Sequence, residues 1–358
     1  SHVCKPVRLF HFRRTGGVRL CTIDYAMLPL PFNRALVTWP HAVHHTILDC
    51  LSQENPQGLR YGATFRSLLW KGDTIVGVEA DVGGTSIHIG AHVVVGADGP
   101  FSQVRGAMGI PTALHRYKDS YLIAMLESSG QLEEAQYYLG QKTILGIFPA
   151  AGHKAYVFYL VSSDSLTQLK AEGVPALRKK WKAIAPDLDS LFNSFVDWNQ
   201  TAYMGTGRVR AQSWVHDGGV VIGDAAHGMN PHASQGRMQA MVDAVTLAQV
   251  LEYCQRTGNW SATALKMFET QRRPHVTMLQ RLADEEVFFW NTGNPLMGML
   301  RDRVFSTMDK NPRLQYQVLS ATAGLRTTSP FGWMDRLQAA GLLPDPRANQ
   351  VPGQAQPA

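Results

Sequence analysis

The 358-residue sequence contains few cysteines and no long apolar run, and these absences argue against a disulfide-rich protein, a zinc protein and a membrane-spanning protein. The cysteines are Cys4, Cys21, Cys50 and Cys254. They form no Cys-x-x-Cys pair and have no zinc-site spacing with histidine, so we expect reduced thiols and no metal site. No apolar run reaches the roughly 18 residues that span a bilayer, and no signal-peptide pattern opens the chain. These features predict a cytoplasmic protein with no membrane span.

Long runs of one charge are also absent. The net charge is +6 and the sequence pI is about 9.1, yet the basic residues are dispersed, and the densest groups are only 178–180 and 272–273. Nucleic acid is therefore not an expected partner. A hydrophobic content of 45% and a charged content of 17% indicate a globular protein with ample core.

The Gly-x-Gly-x-x-Gly turn that holds a dinucleotide pyrophosphate is missing as well. The nearest matches are Gly205-Thr206-Gly207, which lacks the third glycine, and Gly83-Gly84, which lies in a predicted hairpin. We therefore expect no phosphate-binding loop of that type in this sequence.

One stretch that is present, residues 223–253, carries the strongest signal. The apolar run Gly219–Ile222 predicts a buried strand that ends at Gly223 and Asp224. Downstream, apolar residues recur at helical spacing and predict a helix with one buried face, formed by Met238, Met241, Val242, Val245, Leu247, Ala248 and Leu251. The stretch is therefore predicted to form a strand, a loop and a helix.

This arrangement suits an electron-rich ligand. A loop that feeds a helix N-terminus offers unpaired N–H groups and the positive end of the helix dipole. The Asp224 carboxylate repels phosphate but accepts hydrogen bonds from sugar-type hydroxyls, which indicates a nucleotide-like cofactor. The alternative is structural: Asp224 caps a helix and Pro231 shapes a turn.

A second stretch has a similar form. The apolar residues 91–95 predict a strand buried on both faces, and it runs into Gly96-Ala97-Asp98-Gly99. Arg105 follows and would pair either with a phosphate or with Asp98. The alternative is a salt-bridged turn without a ligand.

The remaining pattern divides the chain into five segments. Residues 1–39 carry hairpin signals, and 40–112 begin with a helix at 41–53 that a β-meander follows. Residues 113–212 are predicted to be mostly β-strands. The strand and helix described above lie within 213–262, and 263–358 are predicted to be helices followed by a tail. The tail from Pro330 is rich in proline, glycine and glutamine and is expected to fray.

Together the two stretches resemble the group A flavoprotein monooxygenases, the aromatic hydroxylases related to p-hydroxybenzoate hydroxylase. The resemblance covers roughly residues 40–275, including Trp214 and the later Phe268-Glu269-x-x-Arg272-Arg273-Pro274. It implies an α/β fold: an FAD-binding Rossmann-like domain, incomplete at its N-terminus, with an inserted β-sheet substrate domain and C-terminal helices. A first βαβ unit would precede Ser1, and without it we expect FAD to bind weakly or not at all.

The resemblance also implies roles for individual residues. Asp224 would bind the FAD ribityl chain, Pro231 would lie near the reactive edge of the flavin, and residues 234–238 would face the pyrimidine end of the ring. Pro231 and His232 are the catalytic candidates, whereas His227 matches a structural histidine. The implied cofactor contacts are His41, Asp98, Gly99, Arg105, Gly223, Asp224, Ala225, Pro231, Ser234, Gln235, Gly236, Arg237 and Met238.

Three positions depart from the family pattern. His41 stands where the family often has arginine, Ser234 where it usually has glycine, and Met238 where it usually has asparagine. The step Phe148-Pro149 resembles a strand end that faces the flavin, and tyrosines of the inserted domain, Tyr121, Tyr137, Tyr159 and Tyr203, are candidates to line the substrate pocket or to pack in the core.

The implied chemistry is reduction of FAD by NADPH or NADH, reaction with O₂ to a flavin hydroperoxide, and hydroxylation of an aromatic or similar electron-rich small molecule. Two alternatives stay open: a flavin-free lyase, isomerase or cyclase on this fold, and a binding protein. Exposed aromatic and methionine residues near the C-terminus would pack helices or a homodimer.

Overall fold

The computed structural model describes residues 4–128, 132–162 and 165–351. The strands in this part of the chain are β1 Cys4–Val7, β2 Leu9–Arg14, β3 Arg19–Asp24, β4 Ala35–Thr38, β5 Ala63–Lys71, β6 Thr74–Val82, β7 Thr85–Gly90, β8 Val94–Gly96, β9 Thr112–Glu127, β10 Ala135–Gly140, β11 Thr143–Ala150, β12 Lys154–Ser162, β13 Thr201–Ala211, β14 Val215–His216 and β15 Gly219–Val221.

The α-helices are α1 Pro40–Glu54, α2 Gln103–Ala107, α3 Leu166–Ile184, α4 Asp189–Phe192, α5 Asp224–His227, α6 Gly236–Thr257, α7 Ala262–Trp290, α8 Pro295–Met308, α9 Pro312–Thr322 and α10 Trp333–Ala339. The fold is mixed α/β, as predicted. The chain forms two compact units: 1–48, 118–205 and 285–358 make the first, and 49–117 and 206–284 make the second.

Most of a seven-stranded sheet belongs to the first unit, in the order β13-β9-β12-β11-β10-β2-β3. From β9 to β3 neighbouring strands are antiparallel except β10 and β2, which pair in parallel. Because side chains alternate across a strand, Tyr137 and Tyr138 enter different cores on the two faces. One face carries an aromatic core that also includes Phe12 and Phe148, and the other packs against α3 through Trp181.

The second unit contains two three-stranded sheets. The first has the order β14-β15-β8, with β15 parallel to β8 and antiparallel to β14, and the second is the antiparallel meander β5-β6-β7. Its core joins these sheets to α6 and α7 through residues such as Val220, Trp214, Leu247 and Phe268. The predicted meander is confirmed as the strands β5, β6 and β7.

Two predictions about buried faces are wrong. Residue Val95 of β8 is 39% exposed, so this strand is not buried on both faces, and it begins only at Val94. On α6 the predicted apolar face is largely exposed at Met238, Met241 and Val245. Leu247 is buried as predicted, and the rest of the buried stripe is formed by Gln239, Asp243, Val250 and Cys254.

The C-terminal tail is also more ordered than its composition suggests. Residues 333–339 form α10, and Asp345 pairs with the buried Arg313 of α9 at 2.7 Å. The expectation of fraying from residue 330 is therefore wrong up to residue 351, because ion pairs fix the chain there; residues 352–358 lie outside the described part.

The described residues contain neither a membrane-spanning helix nor a metal-binding cluster. No helix there has an apolar stretch long enough to cross a membrane. Within the same ranges no group of three or more histidine, cysteine, aspartate or glutamate side chains is arranged to hold a metal ion.

Candidate cofactor site

The turn after β15 depends on a glycine. Gly223 has φ 57° and ψ −140°, a conformation that side chains rarely adopt, and a Cβ added there would lie 3.1 Å from Cβ of Ala240 on α6. The strand therefore ends in a turn that lies directly against α6. Asp224 begins the short helix α5 immediately afterwards, where the sequence predicted a loop.

Asp224 presents an accessible carboxylate in a partly desolvated place. Its side chain is exposed, yet surrounding protein atoms raise its pKa by desolvation, an effect that His227 opposes. Within the described residues no donor hydrogen-bonds to this carboxylate, while residues 225–230 behind it are buried. Asp224 is thus available to a ligand.

A buried ionic network holds this turn. Asp243 of α6 accepts hydrogen bonds at 2.9 Å from the Gly223 N–H, at 2.5 Å from His227 Nε2 and at 2.8 Å from Arg272 Nε. Burial would raise the pKa of Asp243, but the bonds from His227, Gly223 and Arg272 outweigh it and the pKa is lowered. Because Asp243 is ionised, His227 carries its proton on Nε2.

The network was not predicted from sequence. The signal that could have found it is Asp243 inside the stripe at 239, 243, 247, 250 and 254, together with Arg272 at helical spacing from the apolar residues Leu265, Phe268 and Val276 of α7. A buried carboxylate needs a buried cation, and Arg272 is the cation that α7 supplies. Gln239 completes the set by accepting from Arg272 at 2.6 Å.

The loop after α5 is shaped by Asn230. Its Oδ1 accepts from the His232 backbone N–H at 3.1 Å and from His232 Nδ1 at 2.5 Å, and it caps the short 3₁₀ turn that begins at Pro231. Burial lowers the pKa of His232 to about 4, so this ring is neutral near pH 7. Ser234 adopts φ 52°, the left-handed conformation for which glycine is better suited.

The first turn of α6 is open. No side chain caps this 22-residue helix, so its leading N–H groups keep no intrahelical or side-chain acceptor. A Cβ added at Gly236 would meet no atom within 4 Å, and Arg237 and Met238 are exposed. Gln235, just before the helix, accepts a hydrogen bond from Gln239 at 3.2 Å. Free N–H groups here suit an electron-rich ligand edge.

The second motif is fixed to the first by Arg105. Its guanidinium is buried and donates to the Ala225 carbonyl at 2.6 Å and to the Pro100 carbonyl at 3.0 Å. Asp98 accepts from Ser102 Oγ at 2.5 Å and from the Gln103 N–H at 2.7 Å, which caps α2. Both charged side chains are therefore engaged within the protein, and they shape the turn.

Gly99 and His41 complete the set of predicted contacts. Gly99 has φ 85° and no atom within 4 Å of an added Cβ, so its backbone borders open space. His41 belongs to the first unit, on α1, where its exposed ring meets Trp39 edge-on at 5.0 Å. The remaining contacts, from Asp98 to Met238, all belong to the second unit.

The family model described as the FAD binding domain matches residues 45–283. Because this match covers more than half of the chain, the chain belongs to that family. The prediction made from the two motifs is confirmed at this level, and FAD is the cofactor that the family's description names.

Relatives and solved structures agree with this assignment. The chain is 26% identical over 276 residues to 6-methylpretetramide 4-monooxygenase of Streptomyces rimosus, covering 74% of this chain and 64% of that protein. It is 27% identical over 270 residues to kynurenine 3-monooxygenase of Salinispora tropica, covering 68% of this chain and 57% of that protein. The chain therefore spans about three fifths of the length of these relatives.

The fold is shared with p-nitrophenol 4-monooxygenase of Pseudomonas putida, with a TM-score of 0.76 and 17% identity over 90% of this chain and 83% of the other. It is also shared with HpxO of Klebsiella pneumoniae, solved with FAD and uric acid, with a TM-score of 0.73 and 18% identity over 90% and 81% of the two chains. At these identities the likeness establishes the fold.

Proposed function

We propose that this chain is part of an FAD-dependent monooxygenase that uses NADPH or NADH and O₂ to hydroxylate an aromatic or similar electron-rich small molecule. The single observation that carries the proposal is the accessible, unengaged carboxylate of Asp224, fixed beside the uncapped start of α6 by the bond from Gly223 to Asp243. The monooxygenase names of relatives that are similar in sequence support the reaction type.

The residues present fit the ring and ribityl parts of FAD. The carboxylate of Asp224 matches a sugar-type hydroxyl, and the open N–H groups at Gly236, Arg237 and Met238 match an electron-rich ring edge. Gly99 leaves room for a group to approach the backbone closely. The sequence contains no Gly-x-Gly-x-x-Gly turn for the pyrophosphate, so the fit covers one part of the cofactor.

In the proposed reaction the protein binds, orients and protects. Bound FAD would supply electron transfer and activation of O₂. Asp224 would hold the ribityl chain, and the α6 N-terminus would stabilise negative charge at the ring edge. Asp98, Arg105 and Ala225 would keep the two turns in register through the bonds described above. Pro231 and His232 would border the substrate, where His232 is uncharged near neutral pH.

The test uses protein expressed from the complete open reading frame that encodes this chain. FAD is titrated into the purified protein while flavin fluorescence and visible absorbance are recorded, and NADPH or NADH oxidation is then followed with candidate phenols. The proposal expects FAD uptake and substrate-stimulated oxidation. Failure to take up FAD together with no oxidation would overturn it.

A matched pair of variants locates the site. Asp224→Ala should weaken FAD binding about 10- to 100-fold, the effect of losing charge-assisted hydrogen bonds to the ligand. Asp73→Ala removes another exposed carboxylate of the same unit, in the hairpin between β5 and β6, and should leave FAD binding unchanged. Equal effects of the two substitutions would remove Asp224 from the site.

A further inference from the structure

An ion pair joins the end of α7 to α10 on the surface of the first unit. Nη2 of Arg336 on α10 donates to both carboxylate oxygens of Glu285 on α7, at 3.0 Å and 2.8 Å. The two side chains are 50% and 51% exposed, and both residues belong to the first unit. The ion pair therefore decides which side chains of the two helices lie next to each other on this surface.

Two large apolar side chains flank the ion pair. Phe288 follows Glu285 by three residues on α7, and Trp333 precedes Arg336 by three residues on α10. Residues three apart on a helix are neighbours on its surface, so each ring lies beside its charged neighbour. Phe288 is 72% exposed and Trp333 is 71% exposed. We call Glu285, Phe288, Trp333 and Arg336 the 285–336 patch.

The two rings of the 285–336 patch expose a large apolar area. A covered aromatic side chain buries about 150 to 250 Å², so Phe288 and Trp333 together leave roughly 200 to 350 Å² of apolar surface in contact with water. Exposed apolar surface of this size marks interaction sites on many proteins. Aromatic residues and arginine are also enriched at the centres of protein–protein interfaces.

The ion pair itself keeps unused hydrogen-bonding capacity. Arg336 contacts Glu285 through Nη2 alone, and among the described residues neither its Nε nor its Nη1 has an acceptor. A bidentate pair between arginine and a carboxylate would use two guanidinium nitrogens. The patch therefore presents free donors of Arg336 and a half-exposed Glu285 carboxylate to a partner.

We propose that the 285–336 patch is the interface between two copies of this chain, related by a two-fold axis. In such an interface every contact from one residue to another is repeated in the opposite direction. Arg336 of each copy donates to the partner subunit's Glu285, and the rings of Phe288 and Trp333 are covered at the centre. This inference goes beyond the proposed function and depends neither on FAD nor on the reaction.

The charges of the patch favour a second copy as the occupant. One acidic and one basic side chain give the patch no net charge, and each is the complement of the other. Two copies that meet across a two-fold axis therefore bring opposite charges together twice, without a like-charge contact between these residues. A typical interface buries about 800 Å² on each partner, so the rings would form its apolar centre and the surrounding surface its polar rim.

The oligomeric state of protein expressed from the complete open reading frame tests the proposal. Sedimentation velocity should show a monomer–dimer equilibrium that shifts with concentration and favours the dimer at about 100 µM. Protein that stays monomeric at about 100 µM overturns the proposal, as expected if another segment of the polypeptide covers the patch.

Truncating one ring tests the location of the interface. Trp333→Ala should raise the dimer dissociation constant about tenfold or more, because a few central aromatic side chains contribute most of the binding energy. Tyr61→Ala removes a side chain that is 72% exposed in the second unit, and it should leave the constant unchanged. Equal effects of the two substitutions overturn the proposal. If Trp333→Ala does not fold, Phe288→Ser replaces it with the same expected result.

Charge reversal separates a contact between copies from the ion pair within one chain. Glu285→Arg and Arg336→Glu each place like charges opposite each other, so each variant alone should raise the dissociation constant about tenfold or more. An equimolar mixture of the two variants restores opposite charges between copies but not within either chain. The mixture, with one variant fluorescently labelled, should form heterodimers with a dissociation constant within about threefold of the wild type. A mixture that stays monomeric, or dimers that neither reversal weakens, overturns the proposal.

Discussion

Replacing Asp243 with alanine should destabilise the second unit strongly. The substitution leaves the Gly223 N–H, His227 Nε2–H and the Arg272 guanidinium without their common acceptor, and the latter two side chains are almost fully buried. Removing one partner of a buried ion pair typically costs about 3 to 5 kcal/mol, a large share of the roughly 5 to 15 kcal/mol that holds a domain folded. We expect a loss near 4 kcal/mol, measured by urea unfolding at pH 7 with circular dichroism.

A matched control tests whether burial is the cause. Arg66 pairs with Asp81 at 3.3 Å in the same unit, but its side chain is 57% exposed. Arg66→Ala should therefore lower the free energy of unfolding by less than about 1 kcal/mol. If Asp243→Ala costs no more than this control, the network does not hold the turn and the reasoning fails.

The pH dependence of the same variant gives an independent check. The pKa of Asp243 is lowered in the folded state, so its contribution to stability is present above the ordinary carboxyl value of 3.8 and is lost as the pH falls through the lower folded value. The difference in unfolding free energy between wild type and Asp243→Ala should therefore be constant near neutral pH and shrink below pH 3.8. A difference that does not shrink in acid would contradict this assignment to Asp243.

Three further predictions concern other parts of the molecule. Burial raises the pKa of Glu286 from 4.5 to about 8, so the folded state disfavours the ionised carboxylate and stability falls as the pH rises from 4.5 through 8; the wild type should therefore melt lower at pH 9 than at pH 6, and Glu286→Leu should reduce that change in melting temperature. Gly218→Ala should lower the free energy of unfolding by more than about 2 kcal/mol, because the φ of Gly218 is 71° and the new Cβ would lie 2.1 Å from the Ile75 carbonyl oxygen. Gly72→Ala has open space around the new Cβ and should lower it by about 1 kcal/mol; thermal melts measure both effects. Arg313→Met should cost about 3 kcal/mol and speed proteolysis near residue 345, because Arg313 holds that segment through Asp345.

Several features of the site could be read from local sequence. Gly223 and Asp224 end an apolar strand and precede a helix, and both the strand β15 and the helix α6 are found where the spacing predicts them. The spacing of the two Gly-Asp-type motifs was specific enough to predict the family, which the match over residues 45–283 confirms. These features depend on residues close in sequence, where turn chemistry and helical periodicity act directly.

Other features could not be read this way. Arg105 was expected to bind a phosphate or Asp98, yet its guanidinium donates to the Ala225 carbonyl at 2.6 Å, 120 residues away. The face of α6 was predicted from its apolar residues, but polar partners on another helix draw Asp243 inward and leave Met241 exposed. Such pairings depend on which elements meet in three dimensions, and a one-dimensional pattern does not contain that information.

By itself the sequence determined the strand-turn-helix around Gly223, the likeness to flavoprotein monooxygenases and the class of cofactor. Only the tertiary structure decided that Asp224 stays available while Asp98 and Arg105 are engaged, and that Asp243 holds the turn. The physical reason is that the charge and hydrogen bonding of a buried group are set by its neighbours in space, and for these residues the neighbours come from distant parts of the chain.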